Sequence, residues 1–93
     1  MFIGSLVVSL HMPWVNSLKE KRMIKNSIIS KISNKFNVSI AEIDEQDTHR
    51  VLVIGIVCLA NEISQVDRIL DKLIAFTETN TEANIVSIER EII

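Results

Sequence analysis

The stretch RVLVIGIVCLA, residues 50–60, is apolar at almost every position and contains the only cysteine, Cys58. Its length and its many β-branched residues predict a β-strand. Successive side chains of a strand point to opposite faces. One face would therefore carry Leu52, Ile54, Ile56 and Cys58, and the other Val51, Val53, Val57 and Leu59. Both faces of this strand need to be covered.

Upstream of this strand, residues 2–12 alternate with a period of two, which predicts a first strand that ends at Pro13. A helix is predicted to follow, from Ser17 to about Lys35. Its apolar stripe consists of Leu18, Ile24, Ile28, Ile29, Ile32 and Phe36. The segment FNVSIAEID, residues 36–44, then predicts a second strand, and EQDTH, residues 45–49, a turn.

Downstream, Asn61 is the predicted cap of a second helix. One side of that helix carries Ile63, Val66, Ile69, Leu70, Leu73, Ile74 and Thr77. Residues 84–93 predict a fourth strand. The order βαββαβ with right-handed crossovers indicates an α+β (α/β) fold, a ferredoxin-like sandwich with a four-stranded antiparallel sheet and two helices on one face. The prediction is a single domain over residues 1–93.

The second face of the sheet is predicted to stay apolar, because the two helices cover only one side. Val7 and Ile3 of the first strand add to Val57 and Leu59 of the third. An apolar face of several hundred Å² is unusual on a soluble monomer. We therefore expect another copy of the chain, as in a homodimer, or another protein to cover it.

Several classes of protein are disfavoured by the bulk composition. The 93 residues suffice for one small domain, and 47% hydrophobic residues exclude a disordered chain. A lone cysteine cannot form an intrachain disulfide and favours a reduced, cytoplasmic setting. The uncharged start lacks the basic flank of a signal peptide, and Pro13 and Asn16 interrupt it. No membrane segment is predicted.

Charge is unevenly distributed along the chain. Residues 19–35 carry a net charge of +5 and residues 36–93 a net charge of −7, which together give −2. The segment SLKEKRMIKNSIISKISNKF, residues 17–36, holds six of the ten basic residues. Ser17 and Glu20 match a capping box at the helix start. Each cation near a helix N-terminus costs about 0.3–1 kcal/mol, so this crowding suggests a function.

The basic helix is the main candidate for a binding surface. A helical wheel puts Lys19 and Arg22 on one flank and Lys31 with Lys35 on the other. Lys21 and Lys25 fall inside the apolar arc, so we expect their stems to lie on apolar surface and their ammonium groups to reach water. The predicted RNA- or anion-binding residues are Lys19, Lys21, Arg22, Lys25, Lys31 and Lys35. The simpler alternative is a solvated helix rich in lysine.

The chain resembles a known family in the segments MP-x-x-NSLKEKR, NKFNVSIAEID, QD and SIEREII. These segments, over essentially the whole chain, resemble the YlxP-like family (the domain of unknown function 503 family) of small bacterial proteins. The resemblance implies a ferredoxin-like fold and, through gene neighbourhood with ribosome-binding factor A, a ribosome-linked role. Position 25, often aliphatic in the family, is Lys25 here.

Other polar residues carry weaker functional hypotheses. Trp14 is a candidate base-stacking platform, although packing at the sheet edge is the favoured interpretation. The acidic cluster Glu42, Asp44, Glu45, Asp47 and His49 lacks an established ligand spacing and is interpreted as a solvated turn. The family pattern includes Glu42, Gln46 and Asp47. The possible secondary site therefore comprises Trp14, Ser17, Glu42, Gln46 and Asp47, where Glu42 and Asp47 are candidates for ion pairs with the helix lysines.

No catalytic set is recognisable in the sequence. His11 and His49 are isolated, and the two glycines, Gly4 and Gly55, lie inside strands, where they predict close backbone approach or a bulge. No enzyme activity, metal or cofactor is predicted.

The favoured function is non-enzymatic binding of ribosomal RNA or the small ribosomal subunit through phosphate contacts. The first alternative is a dimeric domain that senses an anionic metabolite at the first helix N-terminus. The second is a structural adaptor that acts through the apolar sheet face.

Overall fold

A computed structural model describes all residues, 1–93, and contains six elements. The strands are β1 (Phe2–His11), β2 (Ser39–Asp44), β3 (Val51–Ala60) and β4 (Asn84–Ile92). The helices are α1 (Leu18–Lys35) and α2 (Ile63–Thr79). All neighbouring strands are antiparallel, in the order β2-β3-β1-β4. The predicted βαββαβ ferredoxin-like fold is confirmed.

The element boundaries follow the sequence closely, with one wrong cap. The predicted second strand begins at Ser39 instead of Phe36, because Phe36 serves as the C-terminal cap of α1 and packs against the core. Asn61 does not cap α2. Glu62 occupies that position, and its side chain makes no capping hydrogen bond. The start of α2 therefore has no side-chain cap, and the Glu62 carbonyl accepts from the N–H groups of Gln65 and Val66, both at 3.2 Å.

The core lies between the helices and one face of the sheet. The buried side chains include Leu6, Leu10, Leu52 and Ile54 of the sheet and Leu70 of α2. Cys58 belongs to this core, where burial raises the pKa of its thiol, while a backbone hydrogen bond with Gly4 acts in the opposite direction. No helix is both long and apolar enough to cross a membrane.

Both glycines allow close packing, as predicted. A Cβ on Gly4 would lie 2.5 Å from Cγ1 of Val66, so α2 can approach β1 only because this position lacks a side chain. A Cβ on Gly55 would lie 2.9 Å from Cγ2 of Ile43. The β2–β3 register shifts between Glu42 and Asp44, and this irregularity places Ile43 over Gly55 on the side of the sheet away from the helices.

The face of the sheet opposite the helices has no covering layer. Ile43, Val57 and Leu59 are 48%, 43% and 62% exposed, whereas Val53 is shielded by its neighbours. The predicted apolar face is therefore present. Within it, β1 and β3 contribute no Asp, Glu, Lys or Arg. The carboxylates on this side stand on the edge strands, Glu89 and Glu91 on β4 opposite Val7 and Ser5, and Asp44 on β2 opposite Val53.

Candidate functional site

The start of α1 is capped by its own side chains. The Glu20 N–H donates to Oγ of Ser17 at 3.1 Å, as a capping box predicts. Oε2 of Glu20 accepts from the N–H of Asn16 at 3.3 Å, one residue before the expected partner. Ser17 and Glu20 thus satisfy backbone groups at this end of the helix.

Lys21 points into the protein and is only 2% exposed. Its ammonium group donates to the backbone oxygens of Glu45 at 2.6 Å and Thr48 at 2.8 Å. Oε2 of Glu42 lies 2.9 Å away but accepts no well-aligned hydrogen bond, so this contact is an ion pair. The expectation that this ammonium reaches water is wrong. Because internal acceptors occupy it, Lys21 leaves the set of candidate anion-binding residues.

The β2–β3 turn is shaped to receive Lys21. Glu45 has a left-handed backbone conformation (φ 56°), and its N–H donates to Oδ1 of Asp44 at 2.8 Å. The Thr48 hydroxyl donates to Oε2 of Glu45 at 2.9 Å. These bonds fix the turn so that two backbone carbonyls converge on one ammonium group. The acidic residues of the turn therefore organise local structure.

The other predicted members of the acidic turn take no part in this arrangement. Gln46 and Asp47 are exposed, and Asp47 forms no ion pair with the helix lysines, whereas Glu42 does. No group of three or more His, Cys, Asp or Glu side chains is placed to hold a metal ion. The half-buried His11 and His49 lie at the ends of β1 and of the turn. The residues of the predicted secondary site therefore do not form a single cluster.

Lys25 shares Glu42 with Lys21 at a greater distance. Its Nζ lies 3.8 Å from Oε1 of Glu42, and the side chain is 25% exposed. A partly solvated pair of this length is weak. Lys25 therefore keeps a partly accessible charge beside the buried pair.

Four cations of α1 remain exposed without a carboxylate partner: Lys19, Arg22, Lys31 and Lys35. Lys19 and Arg22 lie in the first two turns of the helix. Lys31 and Lys35 lie one turn apart on the flank that faces α2, and Nζ of Lys35 is 5.2 Å from the centroid of the Phe76 ring. The predicted basic helix thus presents two separate pairs of free cations.

The second helix adds two cations that the charge run in the sequence does not include. Lys72 lines the same depression as Lys35, between Phe36 and Phe76, whose rings pack edge to face. Arg68 lines an adjoining depression that also includes Lys72. A helical wheel of α2 puts these two cations on one flank, which is the signal that could have revealed them.

The opposite flank of α2 is acidic and already paired. Asp67 and Asp71 both hold Arg90 of β4, with a distance of 2.7 Å between Nη1 and Oδ1 of Asp71. The bond to Asp71, together with Asp67, raises the pKa of Arg90 above its ordinary value. Acids therefore occupy the β4 side of α2, and unpaired cations occupy the other flank, where Lys72 shares a depression with Lys35 of α1.

Trp14 is 46% exposed, whereas Met12 and Val15 on either side are fully buried and hold the loop against the core. The interpretation of Trp14 as a further anchor stays a prediction. Trp14 lines a groove of about 350 Å³ between α1 and the α2–β4 connection, together with Met23 and Lys31.

Comparison with known proteins identifies the family. The profile of the family described as "Protein of unknown function (DUF503)" matches residues 3–90. The chain is 40% identical over 66 residues to "Uncharacterized protein YlxP" of Bacillus subtilis (strain 168), a match that covers 71% of this chain and 72% of that protein. Neither description names an activity. The chain belongs to the DUF503 family, which includes proteins like YlxP.

Proposed function

We propose that the protein is a non-enzymatic RNA- or ribosome-associated binding protein that contacts phosphates through the exposed cations of α1. The observation that carries this proposal is the absence of any carboxylate partner for Lys19, Arg22, Lys31 and Lys35. In the same helix, Glu20 is bonded to Asn16, and nearby Glu42 is taken by Lys21 and Lys25. Four uncompensated cations on one exposed helix favour a polyanionic partner.

Binding through phosphate contacts does not require side chains that recognise particular bases of the RNA. Lysine and arginine bind phosphate oxygens and orient a protein on a nucleic acid without recognising bases. Each phosphate neutralised on a single strand contributes about 0.7 to the slope of log affinity against log salt. The number of lost contacts can therefore be counted from a salt series.

A pairwise neutralisation tests the proposal. The variants K19Q/R22Q and K31Q/K35Q each remove two positive charges from exposed positions. The matched control, N61D/N84D, also lowers the net charge by two but acts at exposed sites outside α1. Binding to a fluorescein-labelled single-stranded RNA, and co-sedimentation with small ribosomal subunits, are measured between 50 and 300 mM salt.

Each α1 variant should lower the salt slope by about 1.4 and weaken binding at low salt, whereas the control keeps the wild-type slope. Failure of the wild-type protein to bind either RNA or the subunit would refute the proposal. So would equal slopes for the wild-type protein and both α1 variants.

A second proposal, that two copies associate, is supported by the apolar sheet face. Ile43, Val57 and Leu59 are exposed there, and the part formed by β1 and β3 has no charged side chain to desolvate. In a symmetric dimer the same patch meets itself, so a charge-free, self-complementary surface is favourable. L59E should then dissociate the dimer in sedimentation velocity, whereas M23E on the helical layer should not. A monomeric wild-type protein at 200 μM would refute this association.

A further inference from the structure

We infer that the partner is a single strand of RNA that runs along the groove between α1 and α2 and stacks a base on Trp14. This inference rests on the proposed function and names the path and the form of the nucleic acid. It adds Arg68 and Lys72 of α2 to the binding surface. It also assigns Trp14 a direct contact with the ligand.

The path is defined by three neighbouring depressions on the helical layer. The first contains Arg68 and Lys72, and the second contains Lys72 and Lys35. The third contains Lys31 and Trp14. The first two share Lys72, and the third begins one turn of α1 from the second. Cations from two helices therefore lie in series over three separate depressions, and a flexible phosphate backbone can follow such a series.

Charge segregation restricts the strand to this line. On α2, Asp67 and Asp71 lie on the β4 side and are bonded to Arg90, so they do not neutralise Lys72 or Arg68. Between Arg68 and Lys31 the groove thus has cations without carboxylate partners, while Glu82 lies at its Trp14 end and Asp67 and Asp71 lie on the neighbouring flank of α2. A backbone that left the groove on the β4 side would meet carboxylates.

The groove at Trp14 has the composition of a base site. The indole ring is accessible, and the exposed thioether of Met23 lines the same groove. The Asn80 amide nitrogen donates to the Phe76 carbonyl at 2.8 Å, which fixes the amide and leaves its oxygen as an acceptor. Glu82 also lines the groove and disfavours a phosphate there. The phosphate is therefore expected at Lys31 and the base at Trp14.

A base must be unstacked to lie on an indole ring, so the groove favours single strands over duplexes. Stacking on an aromatic side chain is sequence-tolerant because every base has a π-face. The site should consequently accept different bases with similar affinity. Phosphates without bases should bind only the cationic part of the groove.

The single tryptophan of the chain provides a direct spectroscopic readout. Titration with a 12-nucleotide single-stranded RNA should quench Trp14 fluorescence with the same midpoint as the anisotropy of the labelled RNA. Inorganic polyphosphate should displace the RNA and restore the fluorescence. Equal affinity for a duplex of the same sequence, or binding without quenching, would overturn the base contact.

Two variants test the path, and both change exposed side chains. W14L should weaken single-stranded RNA binding roughly 5- to 150-fold, the factor that corresponds to the loss of one base–aromatic stacking contact. R68Q/K72Q should reduce the salt slope by about 1.4, in contrast to the charge-matched control N61D/N84D. Circular dichroism melting of each variant verifies that the fold is retained.

The outcomes separate this inference from the proposed function. If K31Q/K35Q weakens RNA binding while R68Q/K72Q and W14L leave it unchanged, the groove path is wrong and phosphate binding by α1 stands. If the wild-type protein binds neither the RNA nor the small ribosomal subunit, both are wrong. If all three variants weaken binding and only the control does not, both are supported.

Discussion

Among the cations of α1 that face another element, those in the two halves of the helix use the same charge in opposite ways, whereas Lys19 and Arg22 of the N-terminal half stay exposed. In the N-terminal half, Lys21 is buried against Glu42 and two backbone carbonyls, and Lys25 lies beside the same carboxylate. In the C-terminal half, Lys31 and Lys35 face α2 and form no ion pair. A dense run of lysines in a sequence is therefore not one surface, because the helical period distributes it among different environments.

What differs between the halves is the element opposite them. The N-terminal half faces the β2–β3 turn, whose backbone oxygens and Glu42 supply acceptors for a cation. In the C-terminal half, Lys35 faces Phe76 and Lys72 of α2, which supply none. Lys31 lines the same groove as Glu82 but forms no ion pair with it. A lysine becomes structural where acceptors surround it and stays available where they are absent.

The largest expected effect is on the free energy of unfolding of K21A. Removing one partner of a buried ion pair costs about 3–5 kcal/mol, and here two carbonyls also lose their donor. Urea unfolding monitored by circular dichroism measures this cost. The matched control K31A removes an exposed lysine and should change the free energy by less than about 0.5 kcal/mol. Similar values for the two variants would remove the distinction between the halves.

A smaller loss is expected for E42Q, about 1–3 kcal/mol by the same measurement. Lys21 would keep the carbonyls of Glu45 and Thr48, and the glutamine oxygen would remain an acceptor. A larger loss of unfolding free energy for K21A than for E42Q would indicate that Lys21 is held mainly by backbone oxygens and not by the carboxylate. The reverse order would make Glu42 the principal partner.

Smaller still are the stability changes expected for K25A and K35A. Lys25 forms a partly solvated pair worth less than about 1 kcal/mol, and Lys35 a cation–π contact with Phe76 of about 0.5–1 kcal/mol. Thermal melting detects both. If either variant lowered the free energy of unfolding by more than about 2 kcal/mol, that lysine would be structural in the same way as Lys21.

The smallest expected effect is the influence of salt on the loss of unfolding free energy that each lysine variant causes. The cost of K21A should change by less than about 0.5 kcal/mol between 0.1 and 1 M sodium chloride, because a buried pair is poorly screened. The cost of K25A should disappear over the same range. Repeating the urea series at both salt concentrations tests this contrast, and a K21A cost that vanished in salt would contradict the buried geometry.

Much of the fold was predictable because its signals are local. The period-two pattern of β1, the apolar run of β3 and the stripe of α2 depend on neighbours within a few residues. The cap of α2 was not predicted correctly, since Asn61 and Glu62 are adjacent and only the backbone path decides between them. The shift in register at Ile43 was not predicted either, because it depends on how β2 pairs with β3.

The candidate site was less predictable because its residues meet over long distances. The acceptors of Lys21 come from residues 24 and 27 positions further along the chain, and backbone carbonyls leave no mark in a sequence. The wheel did place Lys21 inside the apolar arc. Arg68 and Lys72 were missed because their alignment with Lys35 requires the relative placement of both helices.

The position of β1 in the sheet has a consequence for biosynthesis. β1 is the first strand made, yet one of its two neighbours, β4, is the last. At about 5–20 residues per second, several seconds of translation separate the two strands. During that delay the apolar nascent segment lacks its full set of pairing partners. We therefore expect this chain to complete its sheet only after β4 has been made, and truncated chains without β4 to require chaperone protection.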